Sequence, residues 1–219
     1  MLPAFSFSTE EKKRHEQGGH LQASIRQQQI YSDLFSDMAN QTQRDTLNVL
    51  DFGTAYRGAS RSFLEGQIGN KAGRSLKLYD PYTRIAPPIY PNVSIIDEHA
   101  VFGINAEEFD VINLSYVLCC LDGVEATELL SKIIEQHPDA VLTVFDYVLK
   151  NRDKARVLDV LCTKQEMIWR KKMGDDAFFQ SRSYYAINEL AEVVTDAGGT
   201  VLHQEHLSNR QLRACILAN

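Results

Sequence analysis

Long apolar runs are missing from this chain of 219 residues. A membrane-spanning helix needs about 18 or more consecutive apolar residues, so no membrane association is expected. Residues 1–20 contain no apolar block of the kind that opens a signal peptide, and charged side chains crowd Glu10 to Arg14. Cysteine is scarce: Cys119, Cys120, Cys162 and Cys215, with no Cys-x-x-Cys pair. Neither a structural zinc nor a disulfide framework is expected, and a reducing, cytoplasmic setting is. Basic charge does not dominate. There are 23 Lys and Arg against 29 Asp and Glu, a formal net charge of -6. That balance speaks against a broad nucleic-acid surface and leaves room for a local basic patch. Neither an internal repeat nor a low-complexity linker divides the chain.

What is present reads as a folded domain. Hydrophobic residues make up 44% and charged residues 24%, inside the globular range. Leu21, Ile25, Leu34 and Met38 recur at helical spacing with Tyr31 beside them, predicting a helix over 20–39 that packs on a sheet or closes over a ligand. Residues 1–40 are thus read as a tail and helical cap, and 41–219 as the main domain. Strands are predicted at 47–52, 76–79, 93–96, 111–114 and 141–145, with a loop from Pro81 to Pro91 and another after 96. Helices are predicted at 59–68 and 124–136, the second stopped by His137-Pro138-Asp139. Two more are read at 152–173 and 184–197, with Gly198-Gly199 as a left-handed cap. Strands at 200–206 and 211–217 close the chain. Strand and helix alternate as in βαβ units, but the last two strands leave no room for a crossover helix. The expected fold is therefore a Rossmann-like, doubly wound, mostly parallel seven-stranded sheet with an antiparallel C-terminal strand.

Ligands of such sheets bind beyond the carboxyl ends of the strands. This selects the segment Asp51 to Gly58, Asp80, Asp97, Ser115 to Leu121, and Asp146-Tyr147. Gly53 permits a tight turn and Gly58 a close approach to a helix start. No Gly-Lys-Ser or Gly-Lys-Thr follows, so this is not a P-loop. Asp80 ends the second strand, where a carboxylate can accept from two ribose hydroxyls. It follows Asp51 by 29 positions, against the roughly 20 usual in a nicotinamide-binding fold.

Val49-Leu50-Asp51-Phe52-Gly53, Leu78-Tyr79-Asp80, the stretch Glu108 to Leu121, Asp139 to Asp146, and Tyr185 with Glu189-Leu190 and Ala197-Gly198 together resemble the class I S-adenosylmethionine (SAM)-dependent methyltransferases over residues 45–217. The resemblance implies SAM as cofactor. It implies that Asp51, Gly53 and Ala55 line the methionine portion, with Arg57 toward its carboxylate. Asp80 is implied at the ribose, covered by Pro81 and Tyr82, and Asp97 at the adenine amine. Ser115 and Tyr116 are implied near the methyl group. Ala55 and Arg57 stand where glycines are common in the family. The Ala55 to Ser60 segment is also similar to the loop of RNA 2′-O-methyltransferases, although Tyr56 and Arg57 break that match.

Methyl transfer from a sulfonium depends mainly on alignment. Asp146, Tyr147 and His99 are the candidates for orienting an acceptor or taking its proton, and none is singled out. Cys119-Cys120 reads as the core of a helix start, and the histidines form no metal constellation, so no metal is expected. Asp80-Pro81-Tyr82 looks like the Asp-Pro-Pro-Tyr motif of amino-directed DNA methyltransferases but follows the wrong strand. A helical substrate-recognition insertion is expected at 150–183, anchored by Val157, Leu161 and Ile168 beside Trp169 and ending near the basic run Arg170-Lys171-Lys172. The reading favours a small-molecule acceptor. An RNA methyltransferase and a catalytically inactive SAM-binding regulatory module remain as alternatives.

Overall fold

The computed structural model describes residues 25–42, 46–54, 61–81, 84–118, 121, 123–147, 160–162, 166–173, 176–183, 187–208 and 213–219. Helix α1 (Ile25–Thr42) leads into strand β1 (Leu47–Phe52), then α2 (Arg61–Ile68), β2 (Arg74–Tyr79) and β3 (Val93–Ile95). Next come α3 (Glu98–Phe102), β4 (Val111–Ser115), α4 (Gly123–Gln136) and β5 (Val141–Tyr147). Three strands follow, β6 (Val160–Cys162), β7 (Glu166–Met173) and β8 (Asp176–Ser183), before α5 (Ile187–Asp196), β9 (Val201–Ser208) and β10 (Arg213–Ala218).

Seven strands form one sheet in the order β3-β2-β1-β4-β5-β10-β9. The pairs among β1 to β5 are parallel, and β10 runs antiparallel to both β5 and β9. This is the expected architecture, reversed strand included.

Alternation along each strand separates two cores. On one face Leu50, Phe52, Ile112, Leu114, Leu142 and Val144 pack against α3, α4 and α5. Helix α4 meets them with Ala126, Leu129, Leu130 and Ile133, the three-and-four spacing of an amphipathic helix. On the other face Val49, Leu76, Leu78, Val111 and Phe145 pack under Ile30, Tyr31 and Phe35 of α1 and Leu64 and Ile68 of α2. Each fully buried large aliphatic side chain contributes about 1.5–3 kcal/mol. Beyond α5, Gly198 has φ +95°, and Gly199 N donates to Val194 O at 3.0 Å. That is the left-handed cap expected of Gly198-Gly199.

Three expectations need correction. The described residues between 160 and 183 are not helical: β6, β7 and β8 form a separate three-stranded antiparallel sheet. Met173 of β7 pairs with Asp176 of β8. The apolar spacing of Leu161 and Ile168 suited a helix, but cross-strand pairing decided the outcome. Residues 98–102, expected in a loop, form α3, because the Asp97 side chain accepts from Ala100 N and caps it. Ile25 is 86% exposed, so the buried stripe of α1 is Gln27, Ile30, Tyr31 and Phe35.

Candidate active site

Strands β1 and β4 are neighbours at the centre of the sheet, and the chain winds outward from them in opposite directions. Their carboxyl ends therefore flank a topological switch point, the place where sheets of this kind bind ligands. Gly53, directly after β1, has φ +70°. A Cβ there would lie 2.6 Å from Val117 Cγ2, so both the backbone and the packing require glycine. Gly53 N donates to Tyr79 O at 2.8 Å, tying the end of β1 to the end of β2. Asp80 and Pro81 follow at once, both half-buried.

Asp97 follows the β2–β3 edge, exposed, and holds Ala100 N at 3.0 Å. Ser115 ends β4, and Tyr116 after it has φ +62°. A left-handed conformation at a bulky non-glycine residue costs on the order of 1–3 kcal/mol and concentrates at functional sites. Tyr116 N is fixed to Phe145 O at 2.7 Å. Gly53, Asp80, Asp97, Ser115 and Tyr116 thus share the carboxyl edge of one parallel sheet. Ala55, Arg57 and Tyr82 lie outside the described residues, as do Gly58, Cys119 and Cys120.

Beneath this edge lies a buried polar cluster. Asp51, Asn113 and Thr143 occupy one register row across β1, β4 and β5, and Asp51 is 1% exposed and the other two 0%. Asn113 Nδ2 donates to Asp51 Oδ1 at 2.5 Å. Asn113 Oδ1 accepts from Thr143 Oγ1 at 2.9 Å and from Tyr31 Oη at 2.5 Å. Gln27 Nε2 donates to Ser115 Oγ at 3.3 Å. Helix α1 is therefore hydrogen-bonded to the sheet directly under these strand ends. Gln27, Tyr31, Asn113 and Thr143 were not among the sequence candidates. The signal for Asn113 and Thr143, with Asp51, was one polar residue inside each apolar strand, Val49-Leu50-Asp51-Phe52, Val111-Ile112-Asn113-Leu114 and Leu142-Thr143-Val144, which only the register lines up.

The acceptor-side candidates do not share one environment. Asp146 is fully buried near the end of β5, His99 is exposed on α3, and Tyr147 is the last residue of β5. Among the described residues no three His, Cys, Asp or Glu side chains gather as metal ligands. No helix among them is long and apolar enough to cross a membrane.

The edge suits a SAM-like ligand. Asp80 can face vicinal hydroxyls from the end of β2. Thr54, next to Gly53, is 2% exposed, and its Oγ1 has no hydrogen-bond partner among the described residues. A buried hydroxyl left unpaired in the first loop is a group that a bound ligand would satisfy.

No protein-family model matches the sequence, and no curated protein matches it. Solved structures do match. The glycopeptide N-methyltransferase MtfA complexed with SAM aligns over 92% of this chain and 95% of its own, at 14% identity and a TM-score of 0.58. A SAM-dependent methyltransferase from Clostridium acetobutylicum aligns over 86% and 89%, at 9% identity and a TM-score of 0.53. DhpI in complex with S-adenosylhomocysteine (SAH) aligns over 87% and 86%, at 14% identity and a TM-score of 0.54. With the strand order, the reversed β10 and the glycine turn after β1, these likenesses establish that the chain has the fold of the class I SAM-dependent methyltransferases.

Proposed function

We propose that this protein transfers a methyl group from SAM to a small-molecule acceptor. The observation that carries the reading is the convergence of Gly53, Asp80, Asp97, Ser115 and Tyr116 on the carboxyl edge at the switch point. The SAM and SAH complexes of MtfA and DhpI, which share the fold, support the choice of cofactor.

When bound, SAM supplies an electrophilic methyl on sulfur. The work of the chain is binding and alignment. Asp51 and Gly53, with Ala55 and Arg57 after them, are assigned to the methionine portion. Asp80 accepts from the ribose hydroxyls, with Pro81 and Tyr82 alongside. Asp97 keeps one carboxylate oxygen on Ala100 N and offers the other to the adenine amine. Ser115 and Tyr116 border the reacting centre, where the left-handed turn of Tyr116 brings backbone close to the acceptor. Asp146, Tyr147 and His99 are assigned to the acceptor side. An acceptor with an exposed lone pair needs orientation from them and no strong base.

Residues 1–40 serve as tail and cap, and 150–183 recognise the acceptor. Two features support this division: α1 is hydrogen-bonded to Ser115, and the β6–β8 segment follows the end of β5 at the site edge. The net charge of -6 supports a small acceptor over RNA. The cysteine pattern supports a cytoplasmic location.

Titration calorimetry of the purified chain with SAM, SAH and NAD tests the cofactor assignment. Saturable, one-to-one binding of the two sulfur compounds, with none for NAD, is the expected result. Failure of the folded, cofactor-free protein to bind either one contradicts it. Binding without methyl transfer to any small-molecule acceptor supports the inactive module instead. Salt-sensitive RNA binding would move the acceptor class to RNA.

A further inference from the structure

We infer that Tyr31 is a positioning residue for the ammonium group of the cofactor's amino-acid portion, acting through Asn113 on the Asp51 carboxylate. The inference rests on the methyltransferase reading and deepens it. It couples the N-terminal helix to the binding site.

The Asn113 side chain is fully buried. An amide has one accepting and one donating end. Its Nδ2 lies 2.5 Å from Asp51 Oδ1, a distance that requires an N–H between them. Reversal of the amide would set a carbonyl oxygen against a carboxylate with no proton to share. The oxygen end is held from the other side by Tyr31 Oη at 2.5 Å and Thr143 Oγ1 at 2.9 Å. Ser115 Oγ stands 3.3 Å from the same oxygen. Two short hydroxyl donors therefore fix where the amide sits, and the amide fixes where the Asp51 carboxylate points. Buried networks of this kind specify one geometry because a partly broken one is costly.

Tyr31 is placed to do this without depending on its hydroxyl for its own position. Its ring is fully buried and packs on Phe145 at 5.1 Å, Phe63 at 5.9 Å and Phe35 at 6.0 Å between centroids. Tyr31→Phe removes the hydroxyl and keeps the ring. Asn113 Oδ1 then loses its shortest donor, and the amide and carboxylate gain freedom to turn. A carboxylate aimed at an ammonium loses the most from such freedom, since charge-assisted hydrogen bonds are geometrically demanding. The adenosine portion, held by Asp80 on the far side of β1, does not depend on this chain of bonds.

The test compares two ligands on the full chain: SAH, which carries the ammonium, and 5′-methylthioadenosine, which has the adenosine and thioether without the amino acid. Affinities are measured by calorimetry, with competition against SAH for the weaker ligand. Tyr31→Phe is expected to weaken SAH about five- to tenfold, as for one lost buried hydrogen bond. Its effect on 5′-methylthioadenosine is expected to be less than about twofold. Thr143→Val, which removes the second hydroxyl donor, is expected to act in the same direction and serves if Tyr31→Phe does not fold. Equal losses for both ligands, or none for SAH, overturn the inference and leave the cofactor reading intact. A wild-type chain that binds neither ligand overturns the cofactor reading and the inference with it.

Discussion

The two faces of the seven-stranded sheet are built from the same strands, yet they hold different chemistry. Toward α3, α4 and α5 the strands present Leu50, Phe52, Ile112, Leu114, Leu142 and Val144. Near that face His137, just after α4, meets Val101 O at 2.8 Å, and burial lowers its pKa. Toward α1 the same strands present Val49 and Val111 at one level, Asp51, Asn113 and Thr143 in the next inward-facing row, and Phe145 beyond it. An apolar face gains stability from every side chain it buries. A face with a polar row must satisfy each group, because an unmet buried donor or acceptor costs about 1–3 kcal/mol. Among the described strand residues the buried polar groups are Asp51, Asn113, Thr143 and Asp146, toward the carboxyl ends of β1, β4 and β5. One face stabilises the sheet. The other also buries a hydrogen-bonded polar row beneath the strand ends.

Substitutions that separate the two roles test this contrast. The largest stability loss is expected on the apolar face. Leu114→Ala should destabilise by about 2–5 kcal/mol in urea unfolding, with SAH affinity unchanged while the chain stays folded. On the polar face, Asn113→Leu should cost about 1–3 kcal/mol and should also abolish measurable SAH binding. Retained binding would show that the polar row is merely structural. Gly53→Ala forces a side chain into a left-handed turn against Val117. It should lower stability by about 1–3 kcal/mol and weaken SAH as well, read by calorimetry beside a thermal scan.

Protonation offers a gentler probe. Burial lowers the His137 pKa below its ordinary value of 6.5. The unfolded chain therefore takes up a proton first as pH falls. The contribution of neutral His137 is full above pH 6.5 and is lost as pH drops through the lowered folded value. The hydrogen bond from Arg26 lowers the Glu205 pKa below its ordinary 4.5, with a smaller contribution from His203. That contribution is present above 4.5 and is lost only in more acid solution. A plot of melting midpoint against pH should fall first near the histidine range, and His137→Phe should remove that step. The smallest effect is expected from Arg26→Ala. It breaks the bidentate pair at 2.7 and 2.8 Å between α1 and β9 and should cost about 0.2–1 kcal/mol, less at high salt.

The strand ends were legible in the sequence because alternation, glycine and proline mark them locally. Gly53, Asp80, Asp97 and Ser115 could be named as edge positions from the strand boundaries alone. The polar row could not. Asp51 reads as part of a loop motif, and Asn113 and Thr143 read as single polar residues in apolar strands. Their alignment depends on β1 pairing with β4, and β4 with β5, which is long-range information. Tyr31 stood beside the predicted apolar stripe, and Leu34 and Met38 of that stripe do pack against the core, but Ile25 is exposed and no spacing marked Gln27 as buried. The β6–β8 segment failed for a related reason. Antiparallel pairing with its neighbours outweighed an apolar spacing that also suited a helix.

The central claim is that the carboxyl edge at the switch point holds SAM through Asp80 and the Gly53 turn. Thermal unfolding of wild type and Asp80→Ala, each with and without SAH at about a hundredfold excess over the wild-type dissociation constant, tests it most directly. Ligand binding at that level adds about 2.7 kcal/mol, a midpoint shift of roughly 5–10 °C for a chain of this size. The account predicts that rise for wild type and its loss, in whole or large part, for a folded Asp80→Ala. A wild-type midpoint unmoved by SAH, or an equal rise in the variant, would contradict it.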